Sequence, residues 1–433
     1  MPPTLKEVIK LVQEHEAACS MYGECSPVNK ALIAESCGGS FEVVPIGSGE
    51  EKYLIPNYGS LYHLYRGQNA LYTPCLPSLL RGNPSEEDIF IERMRFVVFR
   101  RMINQHPVVK HFFRRHHFLV DEEGLAQHYG LKTLTLDITC SLDIAIFFAV
   151  CWYDREQDTY RIFTDDAVHE GYLYVFRPIF GNEPIPQGRE EFLTAHITPI
   201  GLQAFSRPGL QGGYALHLKR GEGVKGYLYK FTFTKYDSCH YYNQFMHKKP
   251  IWQVDDLLIS KTKQIAEMRS FPYDIFNETY KDFPPIGGYS RSKMKRALSG
   301  KVQLGTKTPI VSFDDQEKKA IIEEWNDGLG EKVAQTIRHK FWYEYDKIDE
   351  KGHISGKKEE KKFRDLGLIY ETQLFSLLKN PKGPSGAEWV NDTQRPAPKR
   401  RIRKGAGELK KIPPMLMEMY GKPYLTKDDW YIK

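Results

Sequence analysis

The sequence predicts an α+β protein, in which a mixed or antiparallel sheet is flanked by helices and followed by a helical C-terminal accessory region. Two observations lead to this fold class. Aromatic segments of alternating polarity recur along the middle of the chain, which is typical of strands with one buried face. No regular series of helices separates these strands, and no G-x-G-x-x-G sequence follows a strand, so a regular βαβ fold is not expected.

The N-terminal segment, residues 1–48, is predicted to form a helix and a loop. Thr4 and Glu7 fit a capping box, and apolar residues follow at helical spacing, which predicts a helix over residues 5–16. Glycine and serine residues punctuate residues 35–48, a pattern that indicates a loop with one strand.

The central region, residues 49–260, contains most of the predicted strands. A strand over residues 62–67 ends at Gly67, and a proline-rich loop follows it. A long helical region is predicted over residues 86–118, with Ser85 as N-cap and a break or kink near Pro107. The remaining elements are a strand over residues 133–138, an apolar helix over 142–153, and strands over 171–177, 213–219 and 226–234.

The chain changes character after Lys261. Helices are predicted over residues 314–326 and 329–345, and the charged residues 351–362 are expected to be exposed. After Pro381 the composition is rich in proline, glycine and basic residues. We therefore interpret residues 261–433 as an accessory helical region with a basic flexible arm. The basic cluster at residues 399–404 indicates either a solvated linker or an arm that contacts phosphate.

Composition excludes several classes of protein. No run of residues reaches the roughly 18 consecutive apolar positions of a membrane helix, and the N-terminus lacks the layout of a signal peptide. The seven cysteines form no C-x-x-C pair, so neither a disulfide framework nor a zinc site is expected. The formal net charge of +6 is mild. We therefore expect a cytoplasmic protein with no bound metal and no membrane partner.

The first segment with chemical potential contains Tyr65, Arg66, Gly67 and Gln68 at the end of a predicted strand. A guanidinium in that position is costly to bury unless something pairs with it. Arg66 therefore either binds a phosphate or carboxylate of a ligand, or forms a structural pair with Asp137. Gly67 would let a ligand or another backbone come close.

The second segment places Thr139 and Ser141 at a strand-to-helix junction. Hydroxyls and free helix N–H groups at such a junction suit phosphate or ribose oxygens, although Ser141 could equally cap its helix. Cys140 between them is interpreted as a small buried thiol. Upstream, His128 is either a packing residue or, together with Tyr129, a contact to a nucleotide.

These segments together resemble the FRG domain, a family named for its (F/Y)-R-G motif. The sequences Y-R-G-Q at residues 65–68 and P-S-L-L-R at 77–81 match the first part of the family pattern. The sequences A-Q-H-Y-G at 126–130 and D-I-T-C-S at 137–141 match the second part. The resemblance covers residues 53–234. The family's P-T-R is K-T-L at residues 132–134, and Ile138 replaces its Trp, so the roles of that Arg and Trp are not carried over.

The motif layout is also similar to that of R-S-E type ADP-ribosyltransferases. This resemblance implies an ADP-ribosyltransferase-like fold that binds NAD or a related nucleotide, with Arg66 at the pyrophosphate or the nicotinamide ribose. It further implies that Thr139 and Ser141 line the nicotinamide side and that Gln211 contacts the ribose 2′-OH. The remaining predicted contacts to the cofactor are Tyr65, Gly67, Gln68, His128, Tyr129, Asp137 and Arg207.

Gln211 stands where the related enzymes carry a glutamate. A glutamine can hydrogen-bond the ribose, but it carries no charge and takes up no proton. Glu190, Glu191 and Glu222 are nearby carboxylates that would substitute for it.

The resemblance implies ADP-ribosyl transfer from NAD to a protein or nucleic-acid acceptor, in bacterial toxin or phage-defence biology. Two alternatives remain open. The domain would be a non-catalytic module that binds a nucleotide or a partner, or the protein would bind nucleic acid through its basic C-terminal arm.

Overall fold

A computed structural model of the chain describes residues 2–24, 41–45, 50–56, 63–154, 156–180, 194–252, 257–306, 308–339, 342–348, 354–361, 385–391 and 425–433. The helices are α1 (Leu5–Glu24), α2 (Glu86–Gln105), α3 (Glu122–His128), α4 (Leu142–Val150), α5 (Ser206–Leu210), α6 (Lys235–Tyr242), α7 (Leu257–Glu267), α8 (Tyr273–Asp282), α9 (Arg291–Leu298), α10 (Asp315–Glu324), α11 (Gly330–Thr336) and α12 (Lys427–Trp430). The strands are β1 (Phe41–Pro45), β2 (Lys52–Pro56), β3 (Leu64–Gln68), β4 (Thr135–Thr139), β5 (Cys151–Asp154), β6 (Thr159–Ile162), β7 (His169–Phe176), β8 (Pro178–Phe180), β9 (Thr194–Pro199), β10 (Gly213–His217), β11 (Lys225–Phe233), β12 (Ser270–Pro272), β13 (Gln303–Gly305), β14 (Ile337–His339), β15 (Trp342–Ile348), β16 (Ile354–Lys361) and β17 (Glu388–Asn391).

Within the described residues, eight strands form the main sheet, in the spatial order β17-β11-β7-β3-β4-β10-β9-β8. Neighbouring strands run antiparallel, except that β8 and β9 are parallel. Helices flank this sheet. The predicted α+β class, with a mixed and largely antiparallel sheet, is therefore confirmed.

Side chains alternate between two cores along the central strands, as the period of a strand requires. On β7, Leu173 and Val175 enter one core, whereas Tyr172, Tyr174 and Phe176 enter the other. Helices α1 and α4 pack on the first face, and α6 packs on α4. A third core lies around α2 and the helices that follow residue 257.

The sheet opens between its two central strands. β3 pairs with β7 along its whole length, and β4 pairs with β10 along its whole length. Between β3 and β4, however, Tyr65 and Thr139 are the one matched pair in the register. The two strands therefore diverge beyond that pair, and a gap forms in the middle of the sheet.

Local capping signals correctly predicted where several helices begin. Thr4 N donates to Glu7 Oε2 at 2.7 Å and starts α1, which continues past the predicted end. A capping box between Ser85 and Asp88 starts α2, and Asp314 starts α10 in the same way. In the described part of the chain, no helix combines the length and apolarity needed to cross a membrane.

The break predicted near Pro107 is confirmed. The helix α2 ends at Gln105, because His106 precedes a proline and adopts an extended backbone, and a π-helical segment follows over Val109–Phe113. Two other predicted helices were wrong in extent. The helix α4 ends at Val150, and Cys151 begins the hairpin of β5 and β6. Within residues 329–345, α11 is helical, but β14 and the start of β15 are strands.

The region after residue 260 contains strands as well as helices. β14 pairs in parallel with β1, β16 lies within the charged residues 351–362, and β17 forms an edge of the main sheet. The accessory region is therefore mixed and not purely helical. The division between residues 49–260 and 261–433 stays a prediction, and α7 runs across it. The basic cluster at 399–404 lies outside the described residues.

Candidate functional site

A cavity of about 470 Å³ lies where β3 and β4 diverge. Its volume falls within the range of small-molecule and cofactor pockets. Of the eleven residues predicted from the sequence, the ten that line it are Tyr65, Arg66, Gly67, Gln68, His128, Tyr129, Asp137, Thr139, Arg207 and Gln211. Ser141 is the exception. Strands, helices and loops far apart in the sequence thus bring the predicted residues to one place.

Arg66 spans the gap in the sheet. Its Nη1 donates a 2.6 Å hydrogen bond to the main-chain carbonyl of Asp137, which faces the gap on β4. Among the described residues, no carboxylate lies within ion-pair distance of the guanidinium, and its buried Nε has no hydrogen-bond partner. The structural alternative is therefore met in part, because Arg66 pairs with the main-chain carbonyl of Asp137 and not with its carboxylate. The charge of Arg66 is left available to an anion in the cavity.

Gly67 is required by packing between β3 and α4. A Cβ atom at this position would lie 1.7 Å from the carbonyl oxygen of Ala145 and 2.9 Å from the backbone nitrogen of Ala149. The close approach predicted for Gly67 is therefore to the backbone of α4. The neighbouring Gln68 is also buried, and its amide contacts Cys75 Sγ at 3.6 Å.

The hydroxyls of Thr139 and Ser141 are both used inside the protein. Thr139 Oγ1 donates to the Gln211 carbonyl at 2.6 Å and accepts from Ser141 N at 3.0 Å. Ser141 Oγ accepts from Ile144 N at 3.3 Å, so Ser141 is the N-cap of α4. These hydroxyls hold the end of β4, and of the two residues Thr139 lines the cavity whereas Ser141 does not.

Neither Cys140 nor Glu222, one of the carboxylates considered as a substitute for Gln211, is among the residues that line the cavity. Burial raises the pKa of Cys140 to about 12, as suits a packed thiol and not a nucleophile. Glu222 lines a separate, smaller pocket, and its carboxylate accepts from Lys219 N at 2.8 Å. Glu190 and Glu191 lie outside the described residues.

Gln211 is buried at the end of α5, with 5% of its surface exposed. Its amide Nε2 donates to the carbonyl of Ile251 at 3.1 Å. The side chain therefore fixes the segment that carries Ile251 against the cavity wall. Gln211 lines the cavity, but the nitrogen of its side-chain amide already donates a hydrogen bond within the protein.

His128 and Asp137 face each other across the cavity lining. His128 Nε2 lies 3.6 Å from Asp137 Oδ1, which is an electrostatic contact and too long for a hydrogen bond. Both atoms are buried and have no hydrogen-bond partner among the described residues. Gly213 leaves room for the imidazole, because a Cβ there would lie 3.0 Å from His128 Nε2.

Arg207 is stacked between aromatic rings. Its Cζ lies 4.0 Å from the centroid of the Trp252 ring and 5.2 Å from that of Tyr129, and the residue is 2% exposed. Its Nη1 also donates to the carbonyl of His128 at 3.4 Å. Cation–π contacts of this kind hold a guanidinium in a desolvated wall.

Several lining residues were not predicted from the sequence. Tyr72, Tyr153 and Tyr160 add aromatic surface, and Arg81 and Lys263 add charge. Arg81 belongs to the P-S-L-L-R sequence, so the resemblance to the FRG domain could have indicated it as a site residue. The other lining residues that were not predicted are Asn69, Gln127, Gly130, Ile138, Phe148, Cys151, Asp158, Trp252, Ile259, Thr262 and Ala266.

Positive charge exceeds negative charge in the described lining. Four cationic side chains, Arg66, Arg81, Arg207 and Lys263, accompany two carboxylates. Burial and the like charge of Arg66 lower the pKa of Arg81 from its ordinary value. A lining with more cationic than anionic side chains favours an anionic ligand.

A model of the FRG domain family matches residues 62–158 of the chain. The chain therefore contains an FRG domain, and the match includes β3, β4, α4 and β5. No curated protein and no solved structure matches the chain. The matched residues supply Arg66, His128 and Asp137, whereas Arg207, Gln211 and Trp252 come from later in the sequence.

Proposed function

We propose that this FRG-domain protein binds NAD or a related dinucleotide in the cavity and transfers ADP-ribose from it. The observation that carries the proposal is the Arg66 guanidinium, which lines the cavity without a carboxylate partner among the described residues. A pyrophosphate is the dianionic group that such a site suits, because guanidinium groups bind phosphate oxygens in two parallel hydrogen bonds.

The rest of the lining supports a nucleotide. Tyr72, Tyr153 and Trp252 add aromatic surface that suits a base or a nicotinamide ring, and Arg81 and Lys263 add positive charge to the lining. Aromatic surface next to cationic groups is the chemistry that recognises a flat base joined to a phosphate.

The roles implied by the resemblance are redistributed among the residues. The Thr139 and Ser141 hydroxyls serve the fold, so we assign them the indirect role of holding β4 beside Arg66. Gln211 contacts the ligand at most through the part of its amide that is not bonded to Ile251. Arg66, His128, Tyr129, Asp137 and Arg207 remain as the proposed direct contacts.

A non-catalytic nucleotide-binding module is the second candidate. The observation that favours it is Gln211, because cleavage of the bond between nicotinamide and ribose creates a cation that a neutral amide does not stabilise well. For the transferase, the acceptor, protein or nucleic acid, is proposed from the resemblance, as is a role in bacterial toxin or phage-defence biology.

The test uses the purified full-length chain with NAD. Binding is measured by calorimetry and nicotinamide release by chromatography, for the wild type, Arg66→Ala and Arg66→Lys. Arg291→Ala is the control, because Arg291 is exposed on α9 and outside the cavity lining. Loss of charge-assisted hydrogen bonds worth about 1.5–3 kcal/mol should weaken binding by roughly 10- to 150-fold in Arg66→Ala.

The outcomes separate the two candidates. Nicotinamide release that is lost in Arg66→Ala and kept in Arg291→Ala supports the transferase. Binding that depends on Arg66 without any release supports the non-catalytic module. A wild-type protein that neither binds NAD nor releases nicotinamide refutes both versions of the dinucleotide site.

A further inference from the structure

The described lining of the cavity contains two carboxylates, Asp137 and Asp158. Both carboxylate oxygens of Asp158 already have partners within the protein. Its Oδ1 accepts from the Tyr153 hydroxyl, its Oδ2 lies 3.5 Å from Lys263 Nζ, and its side chain is 13% exposed. The negative charge of Asp158 therefore has partners on both oxygens, and it anchors the β5–β6 hairpin and the Lys263 side chain.

Asp137 has a different environment. Its side chain is 36% exposed, and it stands on β4 at the gap in the sheet. Its Oδ1 is buried and accepts no hydrogen bond from the described residues. Burying a carboxylate oxygen without a hydrogen-bond donor costs free energy, because the oxygen loses its hydrogen bonds to water and no bond within the protein replaces them. A ligand hydroxyl at this position would supply the missing donor.

Asp137 is also held beside the proposed anion site. Arg66 Nη1 bonds the main-chain carbonyl of the same residue at 2.6 Å, so the guanidinium and the carboxylate are fixed to one point of β4. His128 Nε2, 3.6 Å from Oδ1, limits where the carboxylate can turn. This arrangement places a cation and an anion side by side without pairing them to each other.

We propose that Asp137, and not Gln211, is the catalytic carboxylate of the ADP-ribosyl transfer, an assignment that rests on the proposed function. Asp137 would accept a hydrogen bond from a hydroxyl of the nicotinamide ribose and stabilise the cation that forms at C1′. The bond between C1′ and the nicotinamide nitrogen breaks, and its electron pair stays on that nitrogen. Water or an acceptor nucleophile then bonds to C1′, and the proton that it loses passes to the Asp137 carboxylate.

The charge is the reason for this assignment. A full negative charge close to the ribose stabilises the cation better than a neutral amide does. Gln211 carries none, and its Nε2 is bonded to Ile251. Asp137 is a carboxylate, and its Oδ1 receives no hydrogen bond from the described residues, although His128 Nε2 lies 3.6 Å away.

The test compares Asp137→Asn, Asp137→Glu and Gln211→Ala with wild type, in the full-length chain. NAD binding and the rate of nicotinamide release are measured separately. We expect Asp137→Asn to lower the rate of release by about 100-fold or more while the Kd for NAD changes by less than about fivefold. Asp137→Glu keeps the charge and should retain more activity than Asp137→Asn. Asp315→Asn, an equivalent change at an exposed position of α10, is the control.

Each result decides the assignment. Release that persists in Asp137→Asn within about twofold of wild type, together with release that disappears in Gln211→Ala, overturns it and makes Gln211 the third catalytic residue. Absence of release in the wild type refutes the proposed transfer itself. This outcome differs from failure of the Asp137 assignment, because it is observed without any variant. Thermal unfolding of each variant shows whether lost release reflects lost folding.

Discussion

Replacing Gly67 by alanine tests whether the glycine of the Y-R-G sequence serves packing or access of a ligand. The new Cβ would lie 1.7 Å from the Ala145 carbonyl oxygen, where a contact needs about 3.5 Å. The atoms that it meets belong to the backbone of α4, so no change of side-chain rotamer relieves the overlap. Either β3 or α4 must move by more than an ångström, and the core between them must repack.

We expect Gly67→Ala to lower the free energy of unfolding by about 3 kcal/mol or more, the upper end of the cost of overpacking. Gly300→Ala is the matched control, because no atom lies within 4 Å of the Cβ it would add. At Gly300 the change should stay within about 0.5 kcal/mol. Urea unfolding followed by tryptophan fluorescence measures both variants against wild type.

One result would refute this reasoning. If Gly67→Ala is as stable as Gly300→Ala and yet loses NAD binding, then the added methyl group blocks the ligand and not α4. Gly67 would then be part of the binding site, because it lets a ligand come close, as its position in the Y-R-G sequence first indicated.

Two further predictions concern buried titratable groups. Burial raises the pKa of Cys140 to about 12, whereas Cys239 is exposed, so iodoacetamide at pH 8 should modify Cys239 and spare Cys140 in the folded protein. Peptide mass spectrometry reads the labelling, and rapid modification of Cys140 would contradict its assignment as a packed thiol. Burial lowers the pKa of His106 from 6.5 to about 4, so the unfolded chain takes up the proton first as the pH falls. The contribution of His106 to the free energy of unfolding is complete above pH 6.5. It falls by up to about 3 kcal/mol as the pH is lowered towards 4. Unfolding titrations of wild type and His106→Phe should show a shallower slope for the variant in this window, and equal slopes would contradict the prediction.

The sequence predicted what depends on neighbouring residues. The capping boxes at Thr4 and Ser85 involve partners three positions apart, so their geometry follows from local sequence alone. The strand around Arg66 and the helix after Ser141 have strong patterns, and the FRG resemblance supported both. The end of α2 follows from Pro107 in the same local way, as the break or kink predicted there indicated.

The sequence could not predict what depends on distant partners. The run at residues 142–153 is apolar throughout, and periodicity alone does not separate a buried helix from a strand. Cys151 starts β5 because β6 is there to pair with it. Thr139 lies at the expected junction, but its hydroxyl is taken by a carbonyl 72 positions away. The stacking of Arg207 on Trp252 likewise depends on a residue outside the recognised motifs.

The order of strands in the main sheet has a consequence for synthesis on the ribosome. β11 pairs with β17, so a strand made early waits for one that emerges much later. At ordinary rates of translation the interval is on the order of ten to thirty seconds. During that interval residues 225–228 at the outer edge of β11 lack their partner strand, and their unpaired N–H and C=O groups are a template for any extended chain nearby. We therefore expect the nascent protein to rely on chaperones until residues 388–391 have left the ribosome.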